Sequence, residues 1–382
     1  MTVGADAPVD AGFVPPAYAD RSLADVLPAV GRALGVPTDG EAPVDLGLPE
    51  APHYVVLLVD GLGSELLAAH ADAAPFLSGL LDGSAPATAG VPSTTATSLT
   101  SLGTGVPPGS HGVLGYTTRI PGTVSVLNAL RWSKDVDPTV WQARPTTFSR
   151  LTAAGVHTTV VNKREFEGSG LTVASCRGAD FVGADRPGER LVAVREAARR
   201  APSLTYSYDG DLDWTGHRYG VASEQWRAQL AMTDVHAQRL REILPDDVRL
   251  VVVADHGMVD VGPADRTDID REPDLQEGLV LVAGEARFRH LFCRAGAVDD
   301  VLGVWREVLG DRALVLSRED AVARGWFGPV LPELEARVGE VVVACRGSHA
   351  VLSTVGFPLE GRLVGMHGSL TADEMRIPVL VA

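Results

Sequence analysis

Short apolar runs recur along the chain and alternate with longer polar segments of helical periodicity. We predict strands over six of these runs: 54–59, 157–161, 203–208, 249–254, 278–283 and 377–381. The segments 189–200 and 222–243 are predicted to be helices. Continuous apolar runs are typical of strands that are buried on both faces. The alternation therefore predicts an α/β fold, with a largely parallel central sheet flanked by helices.

The same pattern divides the chain into three regions. Residues 1–45 are rich in Pro and Ala and are predicted to wrap the surface. Residues 46–264 together with 363–382 contain most of the predicted sheet and form the predicted main domain. Residues 265–362 hold a second cluster of strands and helices. We predict that this cluster is a small inserted α+β cap.

Composition narrows the class of protein. A chain of 382 residues with 45% hydrophobic content can bury a large core. Its net charge of −16 disfavours binding along a nucleic-acid backbone, so no nucleic-acid partner is expected. Neither a signal-peptide pattern nor a membrane-length apolar run is present, and three scattered cysteines predict no disulfide framework. We therefore expect a cytoplasmic protein that does not bind membranes, while its oligomeric state stays open.

Polar side chains follow four of the predicted strands at the point where each strand ends. Ligands of open α/β sheets bind beyond these carboxyl ends. The carboxylate and imidazole groups there, with one more before the last strand, are Asp60, Asp213, His217, Asp255, His256 and His367.

Six such groups at one edge of a sheet would repel one another unless cations neutralised them. Mixed Asp and His ligands suit Zn²⁺ or Mn²⁺ better than Ca²⁺, and six exceed what one tetrahedral ion needs. We therefore predict two divalent cations. Such a pair is suited to in-line displacement at phosphorus, because it stabilises both the attacking and the leaving oxygen.

A nucleophile for this chemistry is expected in the stretch "GVPSTTATSLTSLGTGVPPGSHGVLGY" (90–116). Pro92 precedes a Ser/Thr-rich segment that is typical of the start of a helix. The positive end of that helix, with a metal ion, would favour an ionised hydroxyl that attacks phosphorus. Composition alone does not choose among the hydroxyl residues there: Ser93, Thr94, Thr95, Thr97 and Ser98.

Five motifs occur in a fixed order between about residues 54 and 381. They are "VVLLVDGLG", "TGVPPGSHG", "DWTGHRYG", "DHGM" and a late "HG". In these motifs the chain resembles the type I phosphodiesterase/nucleotide pyrophosphatase family of the alkaline phosphatase superfamily. The resemblance implies an alkaline phosphatase-like core.

The resemblance also implies a role for each candidate residue. The nucleophile of the family falls on Thr95, whereas His111 of "SHG" lies outside the ligand set and is expected to be structural. One ion, expected to be Zn²⁺ with Mn²⁺ as the alternative, would be held by Asp213, His217 and His367. The second would be held by Asp60, Thr95, Asp255 and His256.

The chain departs from the family pattern at one position. Many relatives have Asn three residues after the nucleophile, where it holds a phosphoryl oxygen, but this chain has Ser98. A hydroxyl has less reach than an amide. Lys163 and Arg164 follow a predicted strand and are candidate substrate-binding donors, with solvated surface charge as the alternative.

The resemblance implies hydrolysis of a small-molecule phosphodiester or pyrophosphate, of nucleotide type, through a phospho-threonine intermediate. Two divalent cations, three carboxylates and an ionised Thr95 nearly balance in charge, which favours a singly charged diester over a doubly charged monoester. A phosphomonoesterase remains an alternative, because Arg164 could supply the extra positive charge that a monoester dianion needs. A phosphonate hydrolase of the same superfamily is a further alternative. A sulfatase lacks support because no "CxPxR" motif occurs, and a noncatalytic binding protein is disfavoured because the ligand set is complete.

Overall fold

The computed structural model describes residues 12–36, 44–81 and 83–382. The strands of these residues are short, and none is longer than seven residues. In chain order they are β1 (His53–Val59), β2 (Ala87–Thr88), β3 (Thr117–Arg119), β4 (Val126–Asn128), β5 (His157–Asn162), β6 (Asp180–Gly183), β7 (Ser203–Asp209), β8 (Val248–Val253), β9 (Val259–Asp260), β10 (Arg266–Asp268), β11 (Leu279–Glu285), β12 (Phe288–Cys293), β13 (Ala313–Ser317), β14 (Val341–Cys345), β15 (Ala350–Leu352), β16 (Gly365–Met366), β17 (Arg376–Ile377) and β18 (Val379–Val381).

The α-helices alternate with these strands. They are α1 (Val26–Ala33), α2 (Ser64–Ala69), α3 (Pro75–Gly79), α4 (Thr95–Thr104), α5 (Pro108–His111), α6 (Pro138–Trp141), α7 (Thr147–Ala153), α8 (Gly170–Cys176), α9 (Pro187–Ala197), α10 (Asp211–Tyr219), α11 (Glu224–Ile243), α12 (Pro273–Gln276), α13 (Val298–Leu309), α14 (Arg318–Ala323) and α15 (Ala372–Met375). Short 3₁₀ helices cover Leu23–Asp25, Arg164–Phe166, Pro263–Asp265, Ile269–Arg271, Gly310–Arg312, Pro332–Arg337 and Glu360–Arg362. No helix in the described ranges combines the length and the apolar character needed to cross a bilayer.

Six strands form the central sheet, in the order β18-β8-β1-β7-β5-β6. All neighbouring pairs are parallel except β18 with β8, which are antiparallel. Helices α7 and α9 pack against β5, and α9 also contacts β7 and α11. The prediction of a largely parallel sheet flanked by helices is therefore confirmed.

The strand β1 lies at the centre of this sheet because its sequence can be buried on both faces. All seven residues of "HYVVLLV" are buried, and β7 and β8 pair with it on either side. In this register Val59 lies opposite Asp209 of β7, and Leu58 lies opposite Val253 of β8. The residues that follow the three strands consequently emerge together at one edge of the sheet.

A second, antiparallel sheet is formed by β11-β12-β14-β13 within the region 265–362. Helix α13 packs against β13 and β14, and the fully buried Trp305 belongs to a separate apolar cluster there. The assignment of this region as a distinct cap, with boundaries at 265 and 362, stays a prediction.

The N-terminal segment predicted over 1–45 is described only in part, because 1–11 and 37–43 lie outside the described residues. Between them, α1 buries Val26, Leu27 and Val30 in the main hydrophobic core. The surface-wrapping role of the whole segment stays a prediction.

An ion pair with no solvent exposure joins the second sheet to α15. Arg287, between β11 and β12, donates to both carboxylate oxygens of Glu374 at 2.7 and 2.8 Å. That carboxylate also accepts from the Ser369 amide, and the Glu374 carbonyl accepts from the Gly257 amide. A buried pair of this kind braces the two segments that carry His256 and His367.

His111 has a structural position, as the sequence suggested. Its Nδ1 accepts from the Val113 amide at 3.2 Å, so its Nε2 carries the proton and donates to Ser101 Oγ at 2.9 Å. The ring thereby fastens α4 to the loop after α5. Burial lowers the pKa of His111 to about 3, since the charged form is poorly solvated there.

Replacing His111 with Gln is expected to make the protein's acid destabilisation shallower. Below about pH 6.5 the unfolded chain protonates this histidine while the folded chain does not, so its contribution to stability is lost as pH falls. The free energy of unfolding, measured by urea titration in EDTA between pH 4 and 6, should fall less steeply by about 1.4 kcal/mol per pH unit. His157→Gln, at an exposed position, is the control. An unchanged slope in the His111 variant would contradict this account.

Candidate functional site

The six predicted ligands converge at the carboxyl edge of the central sheet. Asp60 follows β1, while Asp255 and His256 follow β8. Asp213 and His217 are four residues apart on α10, which begins just after β7, so they share one helix face. His367 directly follows β16. Two compact groups result, in each of which the ligand atoms lie within 4.8 Å of one another: Asp60, Asp255 and His256, and Asp213, His256 and His367.

The distances between these atoms match those of ligands around a shared cation. His256 Nε2 lies 3.4 Å from both Asp60 Oδ1 and Asp255 Oδ2. His217 Nε2 lies 3.5 Å from Asp213 Oδ2 and 3.3 Å from His367 Nε2. Ligand atoms about 2.1 Å from a tetrahedral zinc ion are about 3.4 Å apart. The side chains are thus spaced for coordination without rearrangement.

Each of the three imidazoles is held by its other ring nitrogen. The Nδ1 atoms of His217, His256 and His367 contact the carbonyl oxygens of Gly365, Gly257 and Ser93 at 2.8, 3.0 and 2.9 Å. A carbonyl only accepts, so each Nδ1 carries a proton, and the Nε2 of the neutral ring presents a lone pair. Backbone carbonyls commonly orient metal-binding histidines in this way.

Three carboxylate oxygens at the site are buried and have no hydrogen-bond partner: Asp60 Oδ1, Asp213 Oδ1 and Asp255 Oδ2. In Asp255 and Asp60, the other carboxylate oxygen does accept hydrogen bonds. Asp255 Oδ1 accepts from the amides of Gly61 and His256, and Asp60 Oδ2 accepts from the Tyr208 hydroxyl at 2.5 Å. Buried polar atoms are rarely left unsatisfied. Together with the imidazole lone pairs, these orphaned oxygens fit divalent metal ions.

The electrostatics of the site also favour a cation. Burial, with the nearby Asp213 and Asp255, raises the pKa of Asp60 well above its usual range. Burial, with Asp213 adding to it, raises the pKa of Asp255 to about 7. Burial and the neighbouring imidazoles of His256 and His217 lower the pKa of His367 well below its usual value. The clustered carboxylates cost free energy when they are charged, and a bound divalent cation would remove that cost.

Thr95 is the hydroxyl that faces this cluster. It is the first residue of α4, preceded by the N-cap Thr94 in an extended conformation, and the helix predicted after Pro92 is present. Thr95 Oγ1 lies 3.4 Å from Asp60 Oδ2 and 3.3 Å from His256 Nε2. Among the other hydroxyls weighed in the sequence, Ser93 Oγ is already bonded to the Ser369 carbonyl at 2.6 Å.

The structure places Ser98 beneath the site. Its side chain is fully buried, and its hydroxyl donates to the Asp255 carbonyl at 2.8 Å. The hydroxyl therefore supports the segment that carries Asp255 and His256. A contact between Ser98 and the substrate stays a prediction.

Lys163 and Arg164 lie beyond β5 and differ in their surroundings. Lys163 Nζ is 3.3 Å from Asp211 Oδ1, at the first residue of α10. Arg164 is more exposed and pairs with Asp185 at 2.6 Å and Glu189 at 3.2 Å. Lys163 is thus beside the helix that carries two predicted ligands, whereas the Arg164 guanidinium is held by two other carboxylates.

Tyr208 is a site residue that the sequence reasoning missed. It is the last residue of the predicted strand 203–208, and its hydroxyl donates to Asp60 Oδ2. Phe166 packs edge-on against its ring at 6.3 Å. The position of Tyr208 at a strand end, next to the acidic segment, was the available signal.

Comparisons with known proteins identify the family of the chain. The profile of the family described as type I phosphodiesterase / nucleotide pyrophosphatase matches residues 54–370. None of the curated protein sequences matches the chain. Among solved structures, the murine ectonucleotide pyrophosphatase/phosphodiesterase 5 is similar at 16% identity and a TM-score of 0.66, over 86% of this chain and 87% of that one. An inactive variant of that murine protein in complex with AMP gives a TM-score of 0.68 at the same identity and coverage.

A second type of solved structure is also similar. The phosphonoacetate hydrolase from Sinorhizobium meliloti 1021, in complex with phosphonoformate, shares 19% identity and a TM-score of 0.63. The match covers 87% of this chain and 89% of that one. At 16% and 19% identity, the similarity to the murine protein and to the bacterial hydrolase shows that this chain shares their fold. The profile match over residues 54–370 shows the family. The chain belongs to the type I phosphodiesterase / nucleotide pyrophosphatase family, and it is an enzyme of the phosphodiester hydrolase class.

Proposed function

We propose that the protein hydrolyses small-molecule phosphodiesters or pyrophosphates of nucleotide type, with Thr95 as the nucleophile and two divalent metal ions as cofactors. The observation that carries the proposal is the position of the Thr95 hydroxyl, at the start of α4 and within 3.4 Å of Asp60 and His256. The family supplies the reaction class.

Zn²⁺ is the proposed metal, with Mn²⁺ as the alternative, because the donor set is mixed nitrogen and oxygen. One ion is assigned to Asp213, His217 and His367, and the other to Asp60, Thr95, Asp255 and His256. When bound, the ions supply positive charge that stabilises the developing oxyanions of an in-line displacement.

The chain's own groups then have defined tasks. Thr95 Oγ1 attacks phosphorus and forms a P–O bond, while the bond to the leaving oxygen breaks and that oxygen keeps the electron pair. The Thr95 proton is passed towards Asp60 Oδ2, whose position is fixed by Tyr208. A water molecule afterwards attacks the phosphorus of phospho-Thr95, and the P–Oγ1 bond breaks with its electron pair on Oγ1, which takes back the proton held by Asp60. One proton of the water stays on the phosphate product and the other is transferred to the leaving oxygen. The start of α4 favours the negative charge that develops there.

The charges around the site support a diester over a monoester. A monoester dianion needs one more cation close to the phosphoryl oxygens. Arg164, the candidate for that role, is paired with Asp185 and Glu189 instead. The complex of the murine relative with AMP supports a nucleotide-type substrate. The similarity to a phosphonoacetate hydrolase keeps phosphonate cleavage as the second candidate.

The proposal includes the cellular compartment of the protein. Cys176, Cys293 and Cys345 are all free thiols, which is typical of proteins in reducing compartments. We therefore keep the cytoplasm as the proposed location.

Hydrolysis of bis-(p-nitrophenyl) phosphate and p-nitrophenyl phosphate by one metal-supplemented preparation tests this function. We expect the diester to be cleaved with the higher kcat/KM. Faster cleavage of the monoester would identify a phosphatase. No cleavage of either compound with Zn²⁺ or Mn²⁺ supplied would contradict the proposed function.

A further inference from the structure

Residues ahead of the family match lie beside the segment that leads to Thr95. The family profile starts at residue 54, and we call residues 13–22, which precede it, the N-terminal strap. The Ala17 amide of the strap donates to Thr88 Oγ1 at 2.8 Å, and the Thr88 amide donates to a strap carbonyl at 3.0 Å. The strap is therefore fastened to the end of β2, seven residues before Thr95.

The strap also contacts two other parts of the structure. The Val14 amide donates to the Leu370 carbonyl at 2.7 Å, three residues beyond the proposed ligand His367. The Phe13 ring packs edge-on against that of Trp326, which belongs to the region of the second sheet, with the ring centroids 6.3 Å apart. The strap thus connects segments that carry site residues with the region of the second sheet.

Tyr18 is the strap residue that contacts the nucleophile segment. Its hydroxyl accepts from the Val91 amide at 3.0 Å and donates to the Trp326 carbonyl at 2.9 Å. A phenol has one O–H donor and can also accept, so both bonds form at once. Burial raises the pKa of Tyr18, which keeps the hydroxyl protonated. Val91 is fully buried, so water cannot replace the hydroxyl as the acceptor for its amide.

The segment from Val91 to Thr95 is also held from a second side. The Ser93 amide donates to the Gly368 carbonyl at 3.0 Å, and Ser93 Oγ accepts from the Gly368 amide at 3.2 Å. The Ser93 carbonyl accepts from His367 Nδ1 at 2.9 Å. The strap thus fixes the start of this short segment and the bonds of Ser93 fix its middle. The orientation in which the chain enters α4 depends on both.

We propose that Tyr18 is a positioning residue for the reaction. It holds the segment before Thr95 against Trp326 and thereby sets the position of the Thr95 hydroxyl relative to the carboxylate and the imidazole that it faces. The inference rests on the proposed function, because it requires Thr95 to be the nucleophile. In-line attack depends steeply on position, and a displacement of about 1 Å can cost about 100-fold in rate. Since Tyr18 bonds to backbone groups rather than to the proposed ligands, its effect is expected on the rate of attack and not on substrate binding.

Single-turnover release of p-nitrophenolate from bis-(p-nitrophenyl) phosphate tests this role, with Zn²⁺-loaded enzyme in saturating excess over the substrate. The release reports the attack by Thr95, and its rate constant does not depend on how much of the preparation is folded. We expect Tyr18→Phe, which removes only the hydroxyl, to lower this rate constant about tenfold. The steady-state KM should be unchanged.

Tyr54→Phe is the matched control. The Tyr54 hydroxyl also bonds to a backbone carbonyl, that of Pro49, but Tyr54 lies at the start of β1, whereas Asp60 follows the end of that strand. The rate constant of this variant should equal that of the parent.

A second variant loosens the same strap without altering Tyr18. Thr88→Val removes the oxygen that accepts from the Ala17 amide, and we expect the single-turnover rate constant to fall by about threefold. This variant decides the question if Tyr18→Phe fails to fold.

The outcomes separate the positioning role from the proposed function. An unchanged rate constant in Tyr18→Phe, with the parent active, would overturn the role while the proposed function stands. An equal fall in Tyr54→Phe would also overturn it, because the loss would then follow from any buried hydroxyl. No release by the parent loaded with Zn²⁺ or Mn²⁺ would refute the proposed function, and the positioning role with it.

Discussion

Replacing Thr95 with alanine is expected to lower the turnover of bis-(p-nitrophenyl) phosphate by at least about 10⁴-fold, the scale on which the loss of a nucleophile acts. The methyl group that remains can be accommodated at the first turn of α4, so folding should be unaffected. The hydroxyl that is lost is the group that contacts Asp60 and His256. Steady-state kinetics, with circular dichroism for the fold, measures the effect.

Two variants control for this result. Thr95→Ser keeps a hydroxyl and should retain measurable turnover. Thr100→Ala removes a hydroxyl from the same helix that bonds only to the Ala96 carbonyl, and activity should stay within about threefold of the parent. Full activity in Thr95→Ala would remove the covalent mechanism.

Replacing Asp255 with asparagine is expected to weaken metal binding at least about 100-fold and to lower turnover in parallel. The amide oxygen can still accept from the Gly61 and His256 amides, as Asp255 Oδ1 does now. The unpartnered Oδ2, however, is replaced by an uncharged NH₂ group that cannot bind a cation. Competition with a chromogenic chelator measures the affinity.

Asp234 provides the matched control for this substitution. Its carboxylate is also almost fully buried, but it accepts from the amides of Phe76 and Leu77 at the start of α3, away from the site. Asp234→Asn should alter stability and leave metal affinity unchanged. Equal affinity losses in the two variants would indicate general destabilisation rather than a ligand role for Asp255.

The fold was predictable where burial alone decides the local structure. The central strand β1 and its neighbour β8 are almost entirely apolar, which fits a two-sided sheet, whereas β7 mixes polar and apolar residues although it is nearly all buried. The predicted bounds of all three strands agree within two residues. The edge strand β6 (Asp180–Gly183) was missed because its residues are half-exposed and mixed in polarity. The last predicted strand, 377–381, forms two separate strands, β17 and β18, on either side of Pro378.

The convergence of the candidate ligands was predictable where these residues follow strand ends. Asp60, Asp255 and His256 were found in this way, because parallel strands deliver their carboxyl ends to one edge. The sequence could not show that the ring of His256 stacks on that of His367 at 3.7 Å, which brings ligand atoms assigned to separate ions close together. Such proximity depends on packing between segments that are more than a hundred residues apart.

Contacts made by the backbone and by neighbouring helices could also not be predicted from the sequence. The carbonyls that orient the three histidines carry no signal in residue type. The exposure of Trp214 depends on which face of α10 packs inward, and Leu212 and Thr215 are the neighbours that are buried. Arg164 looked equivalent to Lys163 in the sequence, yet only the structure shows its two carboxylate partners.

Elemental analysis of the purified protein, after incubation with Zn²⁺ and removal of the excess, tests the central claim most directly. The orphaned oxygens of Asp60, Asp213 and Asp255 and the oriented imidazoles are the proposed ligands of two ions. We predict two zinc ions per chain. A protein that retains no metal under these conditions would contradict the account.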